Sequence, residues 1–349
     1  MFKINSKPRK TAYEQILENF RRLVYNDTLK VGDVVPTVVE TAKQLVVNPN
    51  TVQGAYRELE REGMFETVDG NEWYISILAK FSVDPREYNE DILLTSKSAK
   101  NEHKYFVEMN SVVKRFDGFP ALDGLSVNVK RGSVYGMVGT NGSGKTTALK
   151  HLAGVLQPDG GQIMIDGKPV FEGAHNKVVG YIPDDIAFMP GYTLRMMAGF
   201  LKSRHKANWN EKRYHELVEL FKLNEGQKII TLSKGVQKRA WFALAICSTP
   251  ELLLLDETID GLDPIARKQV YRYIIEDVAE RRMTVITTSH NISELENLCD
   301  TVGVIKDGRL VVEHNLEELR RKLREEDPLK EPMTIEEIFI SETEAGKDE

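Results

Sequence analysis

The stretch of sequence that decides the fold reads Gly139-Thr140-Asn141-Gly142-Ser143-Gly144-Lys145-Thr146. Its glycines let backbone N–H groups turn inward around phosphate oxygens, while Lys145 adds positive charge and Thr146 adds a hydroxyl that can ligate magnesium. Ser133–Val138, directly before it, is predicted to be a buried strand, and a helix is predicted to begin with Thr147–Leu156. The N-terminus of that helix adds its dipole to the ring of N–H groups. This strand–loop–helix order predicts a binding site for a nucleoside triphosphate.

The composition is that of a globular protein with two domains. With 349 residues the chain is long for one compact core, and its 41% hydrophobic content argues against wholesale disorder. Dense apolar runs such as Leu252–Leu255 are far shorter than the roughly 20 residues that span a bilayer, and no apolar stretch follows the basic start Lys3–Lys10. The two cysteines, Cys247 and Cys299, do not suggest a disulfide framework. We therefore expect a cytoplasmic protein, and any membrane process that it serves needs another polypeptide.

The pattern along the chain predicts four segments. The first is residues 1–79, in which residues 8–78 carry helical periodicity and end in a short pair of strands around Asp69-Gly70-Asn71. Residues 80–103 are polar and lose this periodicity, which is typical of a linker. Residues 104–318 alternate strand-like runs with helices, which indicates an α/β domain with a largely parallel sheet. Residues 319–349 are predicted to be a charged helix followed by a solvated tail that ends SETEAGKDE.

A second acidic motif lies within the α/β domain. Leu252–Leu255 is predicted to be a buried strand, and Asp256 and Glu257 follow it directly. Asp256 is suited to hold magnesium through water beside Thr146, and Glu257 to polarise an attacking water. Two acids also commonly end a strand at a protein surface. The four leucines and the phosphate loop upstream favour the functional interpretation.

Two further motifs complete a known order. Leu232-Ser233-Lys234-Gly235-Val236-Gln237 precedes the acidic strand, and Thr288-Ser289-His290 follows it. Together the four motifs resemble the ATPase subunit of ATP-binding-cassette (ABC) transporters. The resemblance implies that ATP and Mg²⁺ are the cofactors, that residues 139–147 including Thr147 hold the nucleotide, and that Glu257 is the catalytic base.

The same resemblance implies that the site is completed by a second copy of the chain. The LSKGVQ stretch is similar to the family signature LSGGQ, with Ser233, Gly235 and Gln237 as its matches and Lys234 where a glycine is usual. Its helix, Lys234–Leu244, would be presented to the γ-phosphate of ATP that the partner holds. Asp263 ends a Gly-Leu-Asp loop that resembles the one crossing the dimer interface. His290 resembles the switch histidine that senses the γ-phosphate.

Two positions depart from the family pattern. Asp184 follows the predicted strand Val178–Ile182 where members usually have a glutamine that contacts magnesium. Aspartate can also ligate magnesium, but it adds negative charge near the phosphates, so slower or differently coupled hydrolysis is expected. Phe116 replaces the tyrosine that usually stacks on adenine, and stacking requires only a ring.

The remainder of the resemblance concerns membrane partners. Residues 185–231 would form the helical subdomain that contacts a separate membrane-spanning permease, through apolar residues that include 188–192 and Met196-Met197. Ordinary core packing explains these apolar residues equally well. Met333–Phe339 resembles the closing helix of ABC-2-type exporter ATPases, which indicates efflux. The chain would then lie peripherally at the inner face of the cell membrane.

The N-terminal segment carries a second resemblance. The runs Val35–Thr37, Thr41–Leu45, Val47–Gln53 and Tyr56–Gly63 resemble the winged helix-turn-helix of GntR-type repressors, in the subgroup whose members accompany ABC exporters. This implies a small α+β domain that dimerises and binds palindromic operator DNA. Asn48 is predicted to cap a helix that opens at Pro49, with a core stripe of Val52, Ala55, Tyr56 and Leu59. The residues predicted to face outward, toward DNA bases, are Asn50, Thr51, Gln53 and Arg57.

The charge of this segment does not favour strong DNA binding. Residues 1–80 hold 11 Lys or Arg and 11 Asp or Glu, a net charge of zero, in a chain of net charge −6. Affinity for duplex DNA comes mostly from neutralised phosphates, and Asp69 and Glu72 in the predicted wing would repel them. Retained DNA binding and a domain kept for dimerisation or protein contact both stay open.

Two classes of function remain. In the first, the chain is the ATPase subunit of an exporter with an N-terminal domain that couples nucleotide state to transcription. In the second, it is an ATP-sensing transcription regulator without a membrane partner. Cargo recognition would lie in the membrane subunit.

Overall fold

The computed structural model describes residues 11–25, 28–30, 32–68, 72–76, 104–171, 179–184, 191–206, 208–319 and 335–345. The chain divides into two compact units, Met1–His103 and Lys104–Glu349. The predicted linker, residues 80–103, lies outside the described residues, as does the tip of the predicted wing, residues 69–71. In the part of the chain that is described, no helix is both long and apolar enough to cross a membrane.

The N-terminal unit is a small α+β domain. Its three strands form one antiparallel sheet in the order β1-β3-β2, which includes the strand pair predicted from the sequence. The elements in chain order are α1 (Ala12–Tyr25), β1 (Val34–Val35), α2 (Val38–Leu45), α3 (Pro49–Arg61), β2 (Phe65–Val68) and β3 (Glu72–Ile75).

Helix α3 forms as the sequence predicts. The Asn48 side chain accepts a hydrogen bond from the backbone N–H of Asn50, and Pro49 opens the helix. The predicted stripe is fully buried, and one of its members, Tyr56, lies edge-to-face against Phe20 and Phe65 with ring centroids 5.5 and 5.2 Å away. Such pairs add to the stabilisation from burial alone. The core of this unit is therefore an aromatic cluster that α3 shares with α1 and β2.

The larger unit contains two sheets and flanking helices. The six-stranded sheet runs in the order β13-β12-β6-β11-β10-β9, with parallel pairing throughout except for the edge strand β13. The second sheet is antiparallel, in the order β5-β4-β7-β8. The strands are β4 (Val107–Phe116), β5 (Phe119–Val129), β6 (Val134–Val138), β7 (Gly160–Ile165), β8 (Lys168–Pro169), β9 (Val179–Ile182), β10 (Leu252–Leu255), β11 (Thr284–Ser289), β12 (Thr301–Lys306) and β13 (Arg309–Asn315). The helices are α4 (Lys145–Leu152), α5 (Leu194–Arg204), α6 (Glu211–Leu220), α7 (Lys234–Cys247), α8 (Pro264–Arg281), α9 (Ile292–Leu295) and α10 (Ile335–Ala345).

The central strands of the parallel sheet are apolar along their whole length, as is expected of strands covered on both faces. Every residue of β6, β10 and β11 is buried. The three strands are adjacent and parallel, so the loops that follow their carboxyl ends meet at one edge of the sheet. The phosphate loop follows β6, the Asp-Glu pair follows β10, and His290 follows β11. The fold therefore gathers three of the four predicted motifs at a single edge, while the signature motif opens helix α7.

The ends of the larger unit differ in part from expectation. Residues 188–190 of the predicted apolar contact segment lie outside the described residues, while Met196 and Phe200 on α5 are exposed. Residues 320–334 also lie outside them. Helix α10 continues to Ala345, so Ser341–Ala345, predicted to be tail, is helical. Its Phe339 is buried edge-to-face against His314, which anchors the helix to β13.

Candidate nucleotide-binding site

The phosphate loop requires glycine at defined positions. Gly144 has φ of +108°, and a Cβ atom there would lie 2.6 Å from the carbonyl oxygen of Ala121. A Cβ on Gly139 would lie 2.3 Å from the carbonyl oxygen of Ile305. Both distances are shorter than van der Waals contact, so only glycine fits without a shift of the backbone. Thr140, Asn141 and Gly142 are exposed and form the open rim of the loop.

Lys145 places its ammonium group inside this loop. Its side chain is 3% exposed, and Nζ donates hydrogen bonds to the carbonyl oxygens of Gly139 (2.7 Å) and Thr140 (3.0 Å). The Oε1 atom of Glu257 lies 3.6 Å from the same nitrogen. Ser143 is buried, and its hydroxyl has no hydrogen-bond partner among the described residues. A buried ammonium group and a free hydroxyl within a ring of glycines suit a polyphosphate.

Asp256 is the buried carboxylate of the site. Its Oδ1 accepts hydrogen bonds from the hydroxyls of Thr146 and Thr288, both at 3.0 Å, and its Oδ2 accepts one from Tyr181 at 3.3 Å. Burial raises the pKa of this carboxyl group, and the hydrogen bonds from Thr288 and Thr146 oppose the shift. The sequence analysis quoted Thr288 within a motif without assigning it a contact with Asp256, and it missed Tyr181. They lie on the strands that flank β10, so pairing the strands correctly would have identified them.

Glu257 has an unusual backbone conformation. Its φ is +45°, in the left-handed region that non-glycine residues seldom occupy. Its N–H donates to Thr288 Oγ1 (2.9 Å), and its carbonyl oxygen accepts from Lys238 Nζ (2.8 Å). These two bonds fix the peptide groups on either side of the strained residue, and its half-buried carboxylate faces the Lys145 ammonium. Lys238 is a second residue that sequence reasoning missed.

Asp184 lies next to Lys238. Its Oδ1 atom is 2.9 Å from Lys238 Nζ, and about half of the Asp184 side chain is exposed. The extra negative charge that the sequence places here is therefore balanced by a lysine. The metal-binding and catalytic roles of Asp184 stay predictions.

His290 is held by a carboxyl group that the sequence analysis did not single out. Its Nδ1 is 3.1 Å from Asp260 Oδ2, which also accepts a hydrogen bond from the Ser289 hydroxyl at 2.9 Å. Burial, together with a hydrogen bond to Glu294, raises the pKa of Asp260 to about 6. The His290 ring is 61% exposed at the edge of the sheet. Asp260 therefore orients the ring through Nδ1, while most of the ring is exposed to solvent.

The predicted signature opens helix α7. Ser233 is its N-cap residue and is exposed, but its side chain makes no capping hydrogen bond. Gln237 is turned back, donating to the carbonyl oxygens of Ile229 (3.2 Å) and Leu232 (3.0 Å). Counted from Leu232, the fifth residue of the motif is Val236, so matching Gln237 to the family glutamine was one residue out of register. The hydrogen bonds of Gln237 fix the turn before α7.

The other nucleotide residues predicted from the sequence lie at exposed or half-buried positions. Phe116 ends β4 at the tip of a hairpin with about half of its ring exposed, and Thr147 is half-buried in α4. Asp263 caps helix α8 by accepting from the N–H groups of Ile265 (3.1 Å) and Ala266 (3.0 Å). Its carboxylate is thus committed within its own chain in this conformation.

The predicted DNA-facing residues of α3 do not share one face. Gln53 and Arg57 are exposed and Asn50 is half-buried, but Thr51 is 8% exposed. The prediction that Thr51 faces outward was therefore wrong. Thr51 lies one helical turn before Ala55, on the stripe that packs into the core.

Comparison with known proteins agrees with this geometry. The profile of the ABC transporter family matches residues 122–260, and that of the gntR family of bacterial regulatory proteins matches residues 12–75. The chain is 33% identical over 245 residues to the ABC transporter ATP-binding protein YcbN of Bacillus subtilis (strain 168), covering 69% of this chain and 79% of that protein. It is 34% identical over 225 residues to the bacitracin transport ATP-binding protein BcrA of Bacillus licheniformis, covering 62% and 72%.

A solved structure shows the same fold. An ATP-binding subunit of an ABC transporter superposes with a TM-score of 0.59 at 23% identity, covering 68% of this chain and 99% of that one. The chain thus belongs to the ABC transporter ATP-binding proteins, a family of ATPases, and carries a domain of the GntR family at residues 12–75.

Proposed function

We propose that the chain is the magnesium-dependent ATP-hydrolysing subunit of an exporter, and that Glu257 is its catalytic base. The observation that carries this is the convergence at the end of β10. Thr146 and Asp256 share a hydrogen bond of 3.0 Å, and Lys145 and Glu257 lie 3.6 Å apart. A phosphate-binding loop, a metal-binding pair and a carboxylate are the parts that phosphoryl transfer to water requires.

The residues divide the chemistry between them. The loop N–H groups and Lys145 hold the β- and γ-phosphates, which positions the γ-phosphorus for attack. Glu257 accepts a proton from water as the new P–O bond forms and the bond to ADP breaks. Phe116 offers its exposed ring to adenine, and His290 its open face to the γ-phosphate.

The residues present fit a magnesium ion. Mg²⁺ is usually bound by one or two protein oxygens together with phosphates and water, and Thr146 and Asp256 supply a hydroxyl and a buried carboxylate. Bound there, the ion would neutralise charge on the phosphate oxygens. Asp184 is a further oxygen donor. An Asp184→Gln variant with unchanged turnover and unchanged magnesium dependence would remove it from the metal site.

The proposed active form is a dimer in which each signature helix completes its partner's site. Helix α7 is 14 residues long, and Ser233 and Gly235 lie at its N-terminus. The positive end of its dipole, together with the uncommitted Ser233 hydroxyl, suits the γ-phosphate of a second protomer. Lys234 is the first residue of this helix, and Asp263 is proposed to contact the same partner.

Export is proposed from the relatives and from the exposed surface of α5. BcrA is named for bacitracin transport, and the exposed Met196 and Phe200 lie one turn apart on α5, where a separate permease subunit would bind. ATPase activity raised by the membrane protein of the same operon would support this assignment. Unchanged activity would favour the alternative, an ATP-sensing transcription regulator with no membrane partner.

The winged-helix domain is proposed to bind palindromic operator DNA as a dimer, with the exposed Gln53 and Arg57 contacting bases. Residues 1–80 have a net charge of zero, which leaves dimerisation or protein contact as the alternative role of this domain. A mobility-shift assay on the upstream region across a salt series separates the two. A shift that weakens with salt supports operator binding, and no shift at low salt supports the alternative.

The central experiment on this proposal is steady-state ATP hydrolysis by Glu257→Gln. We expect turnover to fall by at least about 10²-fold while nucleotide affinity is retained, since general bases contribute about 10²–10⁴-fold. If Glu257→Gln hydrolyses ATP at the wild-type rate, the catalytic base is another residue.

A further inference from the structure

Lys238 is a buried lysine that no predicted motif includes. It lies on the second turn of α7, and its side chain is about 10% exposed. Burying an ammonium group is costly unless it is paired and hydrogen-bonded. A lysine in this position therefore has partners that hold it, and the structure shows which ones.

Its Nζ atom joins two loops that carry the chemistry. It lies 2.9 Å from Asp184 Oδ1, after β9, and donates a hydrogen bond of 2.8 Å to the carbonyl oxygen of Glu257, after β10. A Cβ atom on Gly261 would lie 3.1 Å from the same nitrogen, so the glycine leaves room for it. One ammonium group thus connects the signature helix, the Asp184 loop and the peptide of Glu257.

The Glu257 peptide needs such support. At φ of +45° this residue is in an unfavourable conformation that persists only where its surroundings impose it. Thr288 fixes its N–H and Lys238 fixes its carbonyl oxygen. Without the ammonium group the carbonyl would lose its donor, and the peptide would relax toward ordinary φ. The carboxylate, one side chain away, would then lose its alignment.

Resting on the function proposed above, we infer that Lys238 is a positioning residue for hydrolysis. It holds the catalytic carboxylate of Glu257 through the Glu257 backbone, and Asp184 balances its charge. Asp184, which stands where the family has a glutamine, is then the acidic member of an ion pair with Lys238. A movement of the signature helix would therefore move Lys238 and, through its hydrogen bond, the backbone of Glu257.

The test measures kcat and KM for MgATP in Lys238→Met, which keeps the length of the side chain and removes its donor. We expect kcat to fall at least about tenfold, equivalent to about 1.4 kcal/mol, with KM changed less than about threefold. Lys238→Arg, which keeps donors, should lose less. Lys268→Met, at an exposed lysine on α8, is the matched control and should retain the wild-type rate.

A double variant separates positioning from a general loss of structure. If Lys238 acts through Glu257, then Lys238→Met in the Glu257→Gln background should cause little further loss of kcat. Full additivity, or Lys238→Met with kcat within about twofold of wild type, overturns the inference. Asp184→Asn leaves the bond to Glu257 in place and should lose less than Lys238→Met. An equal or larger loss also overturns it.

The two proposals fail separately. If Glu257→Gln hydrolyses ATP at the wild-type rate, the proposed function fails. If Glu257→Gln is inactive and Lys238→Met is active, only the role of Lys238 fails. Melting temperatures of all variants identify any that do not fold. If Lys238→Met does not fold, kcat is measured in Lys238→Gln instead.

Discussion

Asp260 is a residue at which burial and charge oppose each other. Its carboxyl group is about 9% exposed and lies against a second carboxyl group, that of Glu294, which is why its pKa rises to about 6. An acid with a raised pKa binds its proton more tightly in the folded protein than in the unfolded one. The free energy of unfolding therefore falls as pH rises from the unfolded pKa near 3.8 to about 6, and stays lower above it.

The direction in which the free energy of unfolding changes with pH predicts the behaviour of Asp260→Asn. We expect the variant to gain stability relative to wild type as pH rises from about 4 to about 7, because the amide has no charge to bury. Urea unfolding at both ends of this range measures the difference. Asp263→Asn is the control, since backbone N–H groups of Ala266 and Ile265 lower the pKa of Asp263, so that it titrates below this range and its difference from wild type should stay nearly constant across it. A constant difference for Asp260→Asn across the range would contradict the account.

Two glycines of the phosphate loop provide a matched pair. Both have positive φ, but a Cβ on Gly144 would meet Ala121 O at 2.6 Å, while one on Gly142 would meet nothing within 4 Å. Gly142→Ala should cost only backbone strain, about 1–2 kcal/mol, whereas Gly144→Ala should cost more because it adds the clash. Urea unfolding without nucleotide compares them. Equal losses would show that the loop can shift at Gly144.

For single residues, the sequence predicts chemical roles better than it predicts side-chain contacts. Asp256 and Glu257 follow from four leucines and a phosphate loop, because such a strand ends at the sheet edge where that loop lies. Lys238 and Thr288 could not be found that way, since their partners are 19 and 31 residues distant along the chain. Thr51 was misplaced because the helical stripe was begun at Val52, although Thr51 lies four residues before Ala55 and therefore borders the same buried face.

At the scale of elements, local signals placed helices and strands to within a few residues. Helix α4 begins at Lys145, two residues before the predicted Thr147, because Gly144 can adopt the positive φ that lets the helix start directly after the loop. Strand β10 matches its predicted bounds, since a run of four leucines is too short for a helix and has the length of a buried strand. The short strand β1 has two residues and too little pattern to be predicted.

The cap of α3 can be tested by itself. Asn48 is buried and accepts a hydrogen bond of 2.9 Å from Asn50 N–H, so Asn48→Ala should weaken the start of the helix by about 1 kcal/mol. Hydrogen exchange of peptides covering residues 49–61 should become faster. Asn48→Ser, which keeps a neutral capping acceptor, is the control and should lose less than the alanine variant. Unchanged exchange in the alanine variant would mean that packing alone holds this helix.

For the whole molecule, the coexistence of an ATPase unit and a GntR unit raises the question of coupling. If the two units work together, nucleotide state should change operator affinity. We expect the affinity of Glu257→Gln for operator DNA to differ between saturating ATP and nucleotide-free conditions in a mobility-shift titration at fixed salt. Equal affinity in both states would leave the two units functionally independent.

The central claim is that two copies of the chain build each site, with the phosphate loop of one and the signature helix of the other. Lys145→Ala disables the loop and Gly235→Asp disables the signature, so each variant alone should be inactive. In a mixed dimer one site is doubly damaged and the other has both parts intact. An equal mixture should therefore recover about a quarter of the wild-type ATPase rate, since half of the dimers are mixed and each has one good site. A mixture as inactive as its components would contradict the account.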